Sequence, residues 1–308
     1  MKFYCPKPYC LFSCFNLILA VIFLMTSCGF GLKNGLTTRG DAEEAEEDFD
    51  VRSCSDDVTA QVQEFLTLRQ DLTSLTPLCS ESLDRLAKSQ SDWLQQNPEL
   101  KLTVKPHEQK EGTPGYSGAD LAMRMRHLNI NSSDYFIAES IGQGGVSGVW
   151  TAHLSSVLHR SIILAPGLTA FGHARSESAT VLTAAIAARG SNQEPVYYPS
   201  EGAVVGSARL FSERPVHELK GAGAGFPISI HFSWECLEIV INQFDVFYDD
   251  RAISGSIYKQ KQLPRLRTSE VFFIADQVLP AGKTINVSAD VNCGSKSLQK
   301  SWSFKVKD

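Results

Sequence analysis

The sequence predicts an α+β protein in two parts, a mixed helical and strand region up to about residue 190 and a β-sandwich after it. Three observations carry this. Apolar residues recur at helical spacing between residues 56 and 97, and again near 117–128 and 146–159. Beyond Gln193 the pattern changes to period-two alternation. A chain of 308 residues, 43% hydrophobic and 20% charged, is long enough for two cores rather than one.

The first 28 residues read as an export signal. Lys2 and Lys7 give a positive start, and Leu11 to Met25 is apolar except for Ser13, Cys14 and Asn16. The run is shorter than the roughly 20 apolar residues a membrane span needs. It ends in Leu24-Met25-Thr26-Ser27-Cys28, small residues before a cysteine, which resembles a bacterial lipobox. Cys28 is therefore the expected lipidation site and new N-terminus. Gly29, not Asp, follows it, which favours the outer membrane. The expected location is the cell envelope, on its periplasmic or extracellular face, with the membrane reached through a lipid anchor. Residues 29–52 form a linker whose acidic run, Asp41 to Asp50, stays solvated.

The first folded region is expected over residues 53–190. Val58, Val62, Phe65 and Leu66 give the apolar face of a first helix. A second helix runs from Ser80, an N-cap candidate, to about Gln96, burying Leu83, Leu86, Ala87, Trp93 and Leu94. A polar loop (98–116), a third helix (117–128) and a connector or strand (134–141) follow. A fourth helix is expected over Val146 to His159, and Thr180 to Ile186 suits a buried strand. Helices followed by strands suggest an α+β sandwich.

The second region is expected over residues 196–308. Ile228, Ile230, Phe232 and Trp234 alternate, as do Ile285, Val287, Ala289 and Val291, and Trp302, Phe304 and Val306. Pro280-Ala281-Gly282 punctuates them. Short alternating strands between turns read as an immunoglobulin-like β-sandwich. Once Cys28 and the signal cysteines are set aside, Cys54, Cys79, Cys236 and Cys293 remain, which allow three pairings. The pairs 54–79 and 236–293 stay within one region each and are expected as disulfides in an oxidising compartment.

Several ordered segments carry a resemblance. They are Phe65-Leu66-Thr67-Leu68-Arg69, Leu86-Ala87-Lys88-Ser89-Gln90, His107 ahead of Gly112-Thr113-Pro114-Gly115, Ala138-Glu139-Ser140-Ile141, and His153-Leu154-Ser155-Ser156-Val157-Leu158-His159-Arg160. Together they resemble the CAP (SCP-like, cysteine-rich secretory) family over residues 56 to about 188, in its bacterial lipoprotein form followed by an immunoglobulin-like module. The resemblance implies a three-layer α-β-α sandwich. It also implies a cleft holding His107, Glu139 and His159, in a family some of whose members bind a divalent metal. The fourth, acidic position of that cleft falls near Thr151, and Val157-Leu158 replaces the Pro-Gly before the last histidine.

Two imidazoles and a carboxylate make a three-ligand zinc set with an open position, suited to Lewis-acid chemistry. Their spacing is not a local metal motif, since no His-Glu-x-x-His occurs. Gly144-Gly145-Val146-Ser147-Gly148 lacks the spacing of a nucleophile elbow, and Gly142-Gln143-Gly144-Gly145 lacks the lysine of a phosphate loop. His153 and His173 are expected to pack. A net charge of −5 with no basic block disfavours a nucleic-acid partner, and none is expected. The expected function is therefore a binding or interaction module for a small apolar ligand, a lipid or a protein. No residue is expected to be catalytic. The alternatives are a metal-dependent hydrolase using the His107/Glu139/His159 cleft, and a structural adhesin or spacer.

Overall fold

Helices on two faces of one sheet, then two further sheets sharing a core, organise the chain. The computed structural model describes residues 50–54, 60–73, 75–100, 106–143, 149–187, 193–206 and 224–308. The expected signal (1–28), the lipidation site Cys28 and nearly all of the linker lie outside them. The architecture mixes α and β, with three mostly antiparallel sheets.

The first sheet contains β1 (Val51–Arg52), β2 (Leu78–Ser80), β3 (Tyr135–Gln143), β4 (Leu168–Arg175) and β5 (Ala179–Ala187), in the order β1-β2-β4-β5-β3. Five helices accompany it: α1 (Ala60–Leu72), α2 (Glu81–Gln96), α3 (Leu121–His127), α4 (Val149–Leu154) and α5 (Val157–Ile163). Strand side chains alternate between faces, and the cores follow that rule. Ile137, Ile141, Val181, Ala185 and Ala170 meet Leu83, Leu86, Ala87, Trp93 and Leu94 of α2. Their neighbours Ala138, Leu182, Ala184, Ile186 and Phe171 meet Phe65 of α1, Trp150 of α4 and Ile163 of α5.

Local chemistry fixes these helices. Ser80 caps α2 by accepting from the Leu83 amide at 3.2 Å, and Asp120 caps α3 from the Met123 amide at 2.7 Å. The helix expected over 146–159 is instead two, α4 and α5, broken at Ser155-Ser156. The Arg160 guanidinium donates to the carbonyl of Leu154, the acceptor that a continuing helix would have given to the amide of residue 158. Gly172 on β4 lets α2 settle directly on the sheet, since a Cβ there would lie 2.0 Å from the Leu83 carbonyl carbon.

The second sheet holds β7 (Val204–Val205), β9 (Ile239–Tyr248), β10 (Arg251–Ala252), β13 (Thr284–Cys293) and β14 (Lys296–Val306), ordered β10-β9-β13-β14-β7. The third holds β6 (Val196–Tyr198), β8 (Ile228–His231), β11 (Gly255–Tyr258) and β12 (Glu270–Ala275), ordered β11-β12-β8-β6. One apolar core draws on both, including Ile228, Ile230, Val271 and Phe273 from one and Val287, Val291, Trp302 and Phe304 from the other.

Both expected disulfides are present. Cys54–Cys79 closes 25 residues with Cα atoms 5.1 Å apart, and Cys236–Cys293 closes 57 with Cα atoms 5.4 Å apart. Loop closure alone gives each about 3 to 4 kcal/mol.

Candidate functional site

Strand β3 decides which of the expected site residues can meet. Glu139 points to the α2 and α3 face, where its side chain is only 2% exposed. There it meets Arg124 of α3, whose Nη2 donates to Oε2 at 2.7 Å, and His107, whose Nδ1 lies 2.9 Å from Oε1. Arg124 is fully buried and also donates from Nη1 to the His107 carbonyl at 3.0 Å. One guanidinium thus fixes both the carboxylate and the loop that carries the imidazole. The same loop is pinned to α2 by Gln109, which donates to Gln90 Oε1 at 3.0 Å and accepts from the Ser117 amide at 2.7 Å.

His107 is the outward member of this group, its side chain 43% exposed. Both carboxylate oxygens of Glu139 already have charge-assisted or imidazole partners, an arrangement that holds the charge and the geometry.

His159 is not in this group. Ser140, the next residue along β3, points to the other face, and its Oγ lies 3.1 Å from Nδ1 of His153. His153 stacks on His159 with ring centroids 4.6 Å apart, and His159 Nδ1 lies 3.1 Å from Ser156 Oγ. The sheet therefore separates His159 from Glu139 and His107. Burial, and then the neighbouring His159, push the His153 imidazole well below its usual range. The edge of Trp150 packs on it at 5.7 Å, so His153 does pack, as expected. His173 sits beyond Trp150 at 6.2 Å, and burial, helped by Arg175, brings its pKa down to about 4.

The residues present do not fit the expected zinc centre. The three donors lie on two faces of a sheet, and a fixed cation, Arg124, already neutralises the only carboxylate. Among the described residues no three His, Cys, Asp or Glu side chains are grouped to hold a metal ion.

A second polar cluster was not foreseen. His231 Nε2 lies 2.9 Å from Ser229 Oγ, and Nδ1 lies 3.3 Å from Glu270 Oε1. This is the atom order of a serine–histidine–acid relay. All three residues are fully buried, however, and Ser229 Oγ also accepts from Arg160 Nη1 at 3.3 Å. No substrate reaches a serine so enclosed. Glu270 accepts from Ser161 of α5 at 2.7 Å and from Arg267 Nε at 2.8 Å, so the cluster is a polar lock between α5 and the β8–β12 pair. Burial raises the Glu270 carboxyl, but Arg267 and then His231 outweigh it and take its pKa down to about 2. The signal was present in the sequence. Ser229 and His231 are polar at i and i+2 in an otherwise apolar strand, and Glu270 heads the run Val271-Phe272-Phe273-Ile274.

Set against protein-family models and against curated proteins, the sequence matches none.

Proposed function

We propose that this chain is an exported envelope protein, lipid-anchored through Cys28 at the outer membrane, whose mixed α/β half binds a small apolar ligand, a lipid or a protein partner. The observation that carries the binding reading is the His107–Glu139–Arg124 group. A half-exposed imidazole is held in place by a buried ion pair, which gives a ligand a fixed polar anchor. Two disulfides favour an oxidising compartment and hence export. In this reading helices on both faces of the first sheet form the α-β-α layering of the CAP family, and the other two sheets form an immunoglobulin-like sandwich.

The hydrolase alternative has less support, because Glu139 and His159 lie on different faces of the first sheet. Binding of a fluorescent fatty acid and flotation with phospholipid vesicles, each compared between wild type and His107→Ala, test the proposal. Saturable binding weakened at least about tenfold in the variant, the 1.4 kcal/mol of one good polar contact, is the expected result. Zinc binding by calorimetry that needs both His107 and His159, joined to zinc-dependent turnover of an ester or peptide, would overturn it.

A further inference from the structure

The outward face of the second sheet is built from residues that serve folding poorly. Strand β13 turns Ile285, Val287, Ala289 and Val291 into the shared core, and therefore Asn286, Ser288, Asp290 and Asn292 outward. Each outward residue has a serine or glutamine beside it on β14, from Ser303 next to Asn286 to Ser297 next to Asn292. On the other side β9 sets Asp245 beside Ser288 and Gln243 beside Asp290. Gln243, Asp245, Gln299 and Ser301 are exposed, so the face is open. Asn and Asp are poor strand formers, and a face that had only to meet water would be firmer with threonine. A face that served solubility alone would mix charges of both signs. No lysine or arginine stands in the outward rows from Asn286 to Asn292. Residues that break local preference with no gain to the fold mark function.

The polar groups are tied to one another. Asn242 Nδ2 donates to Asp290 Oδ1 at 3.0 Å, Gln243 Nε2 to Asp245 Oδ2 at 2.7 Å and Ser301 Oγ to Ser288 Oγ at 3.2 Å. Such bonds set the amides and carboxylates in place before a ligand arrives, which lowers the ordering cost of binding. The composition then selects the partner. A polyanion needs lysine or arginine. A protein interface is rich in aromatic residues, Met and Arg and poor in Ser and Asp. A lipid surface needs an apolar or a basic face. Hydroxyls, amides and carboxylates in one plane instead match the hydroxyls of a neutral sugar, which both donate and accept. Phe247, half-buried, ends the face opposite Asn286 and offers an apolar surface to the C–H side of a sugar ring. From Asn286 to Asn292 the strand runs about 20 Å at roughly 3.4 Å per residue, room for several rings.

We propose that the outward face of β9, β13 and β14 binds a neutral glycan chain, with Ser288, Asp290, Asn292 and Gln299 bonding its hydroxyls and Phe247 carrying a ring at one end. The site lies in the second half of the chain and does not depend on His107.

The test is calorimetric titration of the full chain with cellohexaose, xylohexaose, mannohexaose and chitohexaose, and with a hyaluronan hexasaccharide as the anionic control. At least one neutral hexasaccharide is expected to bind saturably, and hyaluronan at least about tenfold more weakly, since the face offers carboxylates and no cation. Asp290→Ala and Gln299→Ala are each expected to weaken the neutral sugar about tenfold, the loss of one good polar contact. His107→Ala is expected to leave it unchanged. No saturable binding of any neutral hexasaccharide, equal binding of hyaluronan, or unchanged affinity in both Asp290→Ala and Gln299→Ala would each overturn the proposal. Should Asp290→Ala not fold, the exposed Gln299→Ala decides. Weakened binding in it supports the site, and unchanged binding rejects it.

Discussion

At the scale of single residues, buried charge is handled by pairing or by loss of the charge. Glu139 and Arg124 pair, and removing the carboxylate leaves Arg124 a fully buried cation without its anion. Glu139→Gln is expected to cost about 3 to 5 kcal/mol, read as a lower urea midpoint at pH 7 with unchanged slope. A cost below about 1 kcal/mol would mean that water reaches Arg124 and that the group is looser than the distances indicate. The buried histidines take the other course and stay neutral. His173 titrates near 4 in the fold against 6.5 when free, because burial disfavours the imidazolium. The unfolded chain therefore takes up the proton first as pH falls. The stability tied to the neutral ring is whole above pH 6.5 and is lost on the way down to about 4, for a total of about 3 kcal/mol. His153 and His231 are shifted in the same direction and steepen the loss. Urea midpoints measured from pH 7 to pH 4 are expected to fall monotonically, with a shallower slope in His173→Gln.

At the scale of elements, the legible part of the fold is the part with a period. The α2 face of Leu83, Leu86, Ala87, Trp93 and Leu94 and the alternation of β13 and β14 read directly from the sequence, because a buried stripe demands them. The break between α4 and α5 did not, because a guanidinium six residues away takes the Leu154 carbonyl, a choice made by tertiary packing. The candidate site was half legible for a related reason. His107 and Glu139 do meet, but Glu139 and Ser140 are neighbours on a strand and must face opposite ways, which carries His159 out of the group. Arg124 went unread since a buried arginine has no periodic signature that separates it from an exposed one. Element packing also makes a prediction. A Cβ on Gly172 would press on the backbone of α2 at Leu83 and Asp84 rather than on a side chain that could turn away. Gly172→Val is therefore expected to destabilise by about 3 kcal/mol or more, at or above the upper end for overpacked cores. Gly172→Ala should already lower the thermal midpoint. An unchanged midpoint in both variants would show that α2 can slide.

At the scale of the whole molecule, the two halves are joined by polar side chains as well as by the chain itself. The described residues all fall within one compact unit. Arg160 of α5 donates to the Pro227 carbonyl and lies 4.7 Å above the Phe226 ring, so a single side chain reaches across from the helix to the strand region. Ser161 beside it donates to Glu270, and Arg267 returns a bond to the Ser161 carbonyl. Glu270 is the hub, since it holds Ser161, Arg267 and His231 at once. A contact of this kind makes the stability of each half depend on the other, so urea is expected to unfold the described region in one transition seen alike by near-ultraviolet and far-ultraviolet circular dichroism. Glu270→Ala removes the shared acceptor and leaves Arg267 unpaired against a buried histidine. It is expected to cost about 3 to 5 kcal/mol and to separate the two signals into successive transitions. Coincident transitions in the variant, shifted but not split, would instead locate the coupling in the apolar contacts of Val157 with Leu263 and Phe272, which the substitution leaves in place.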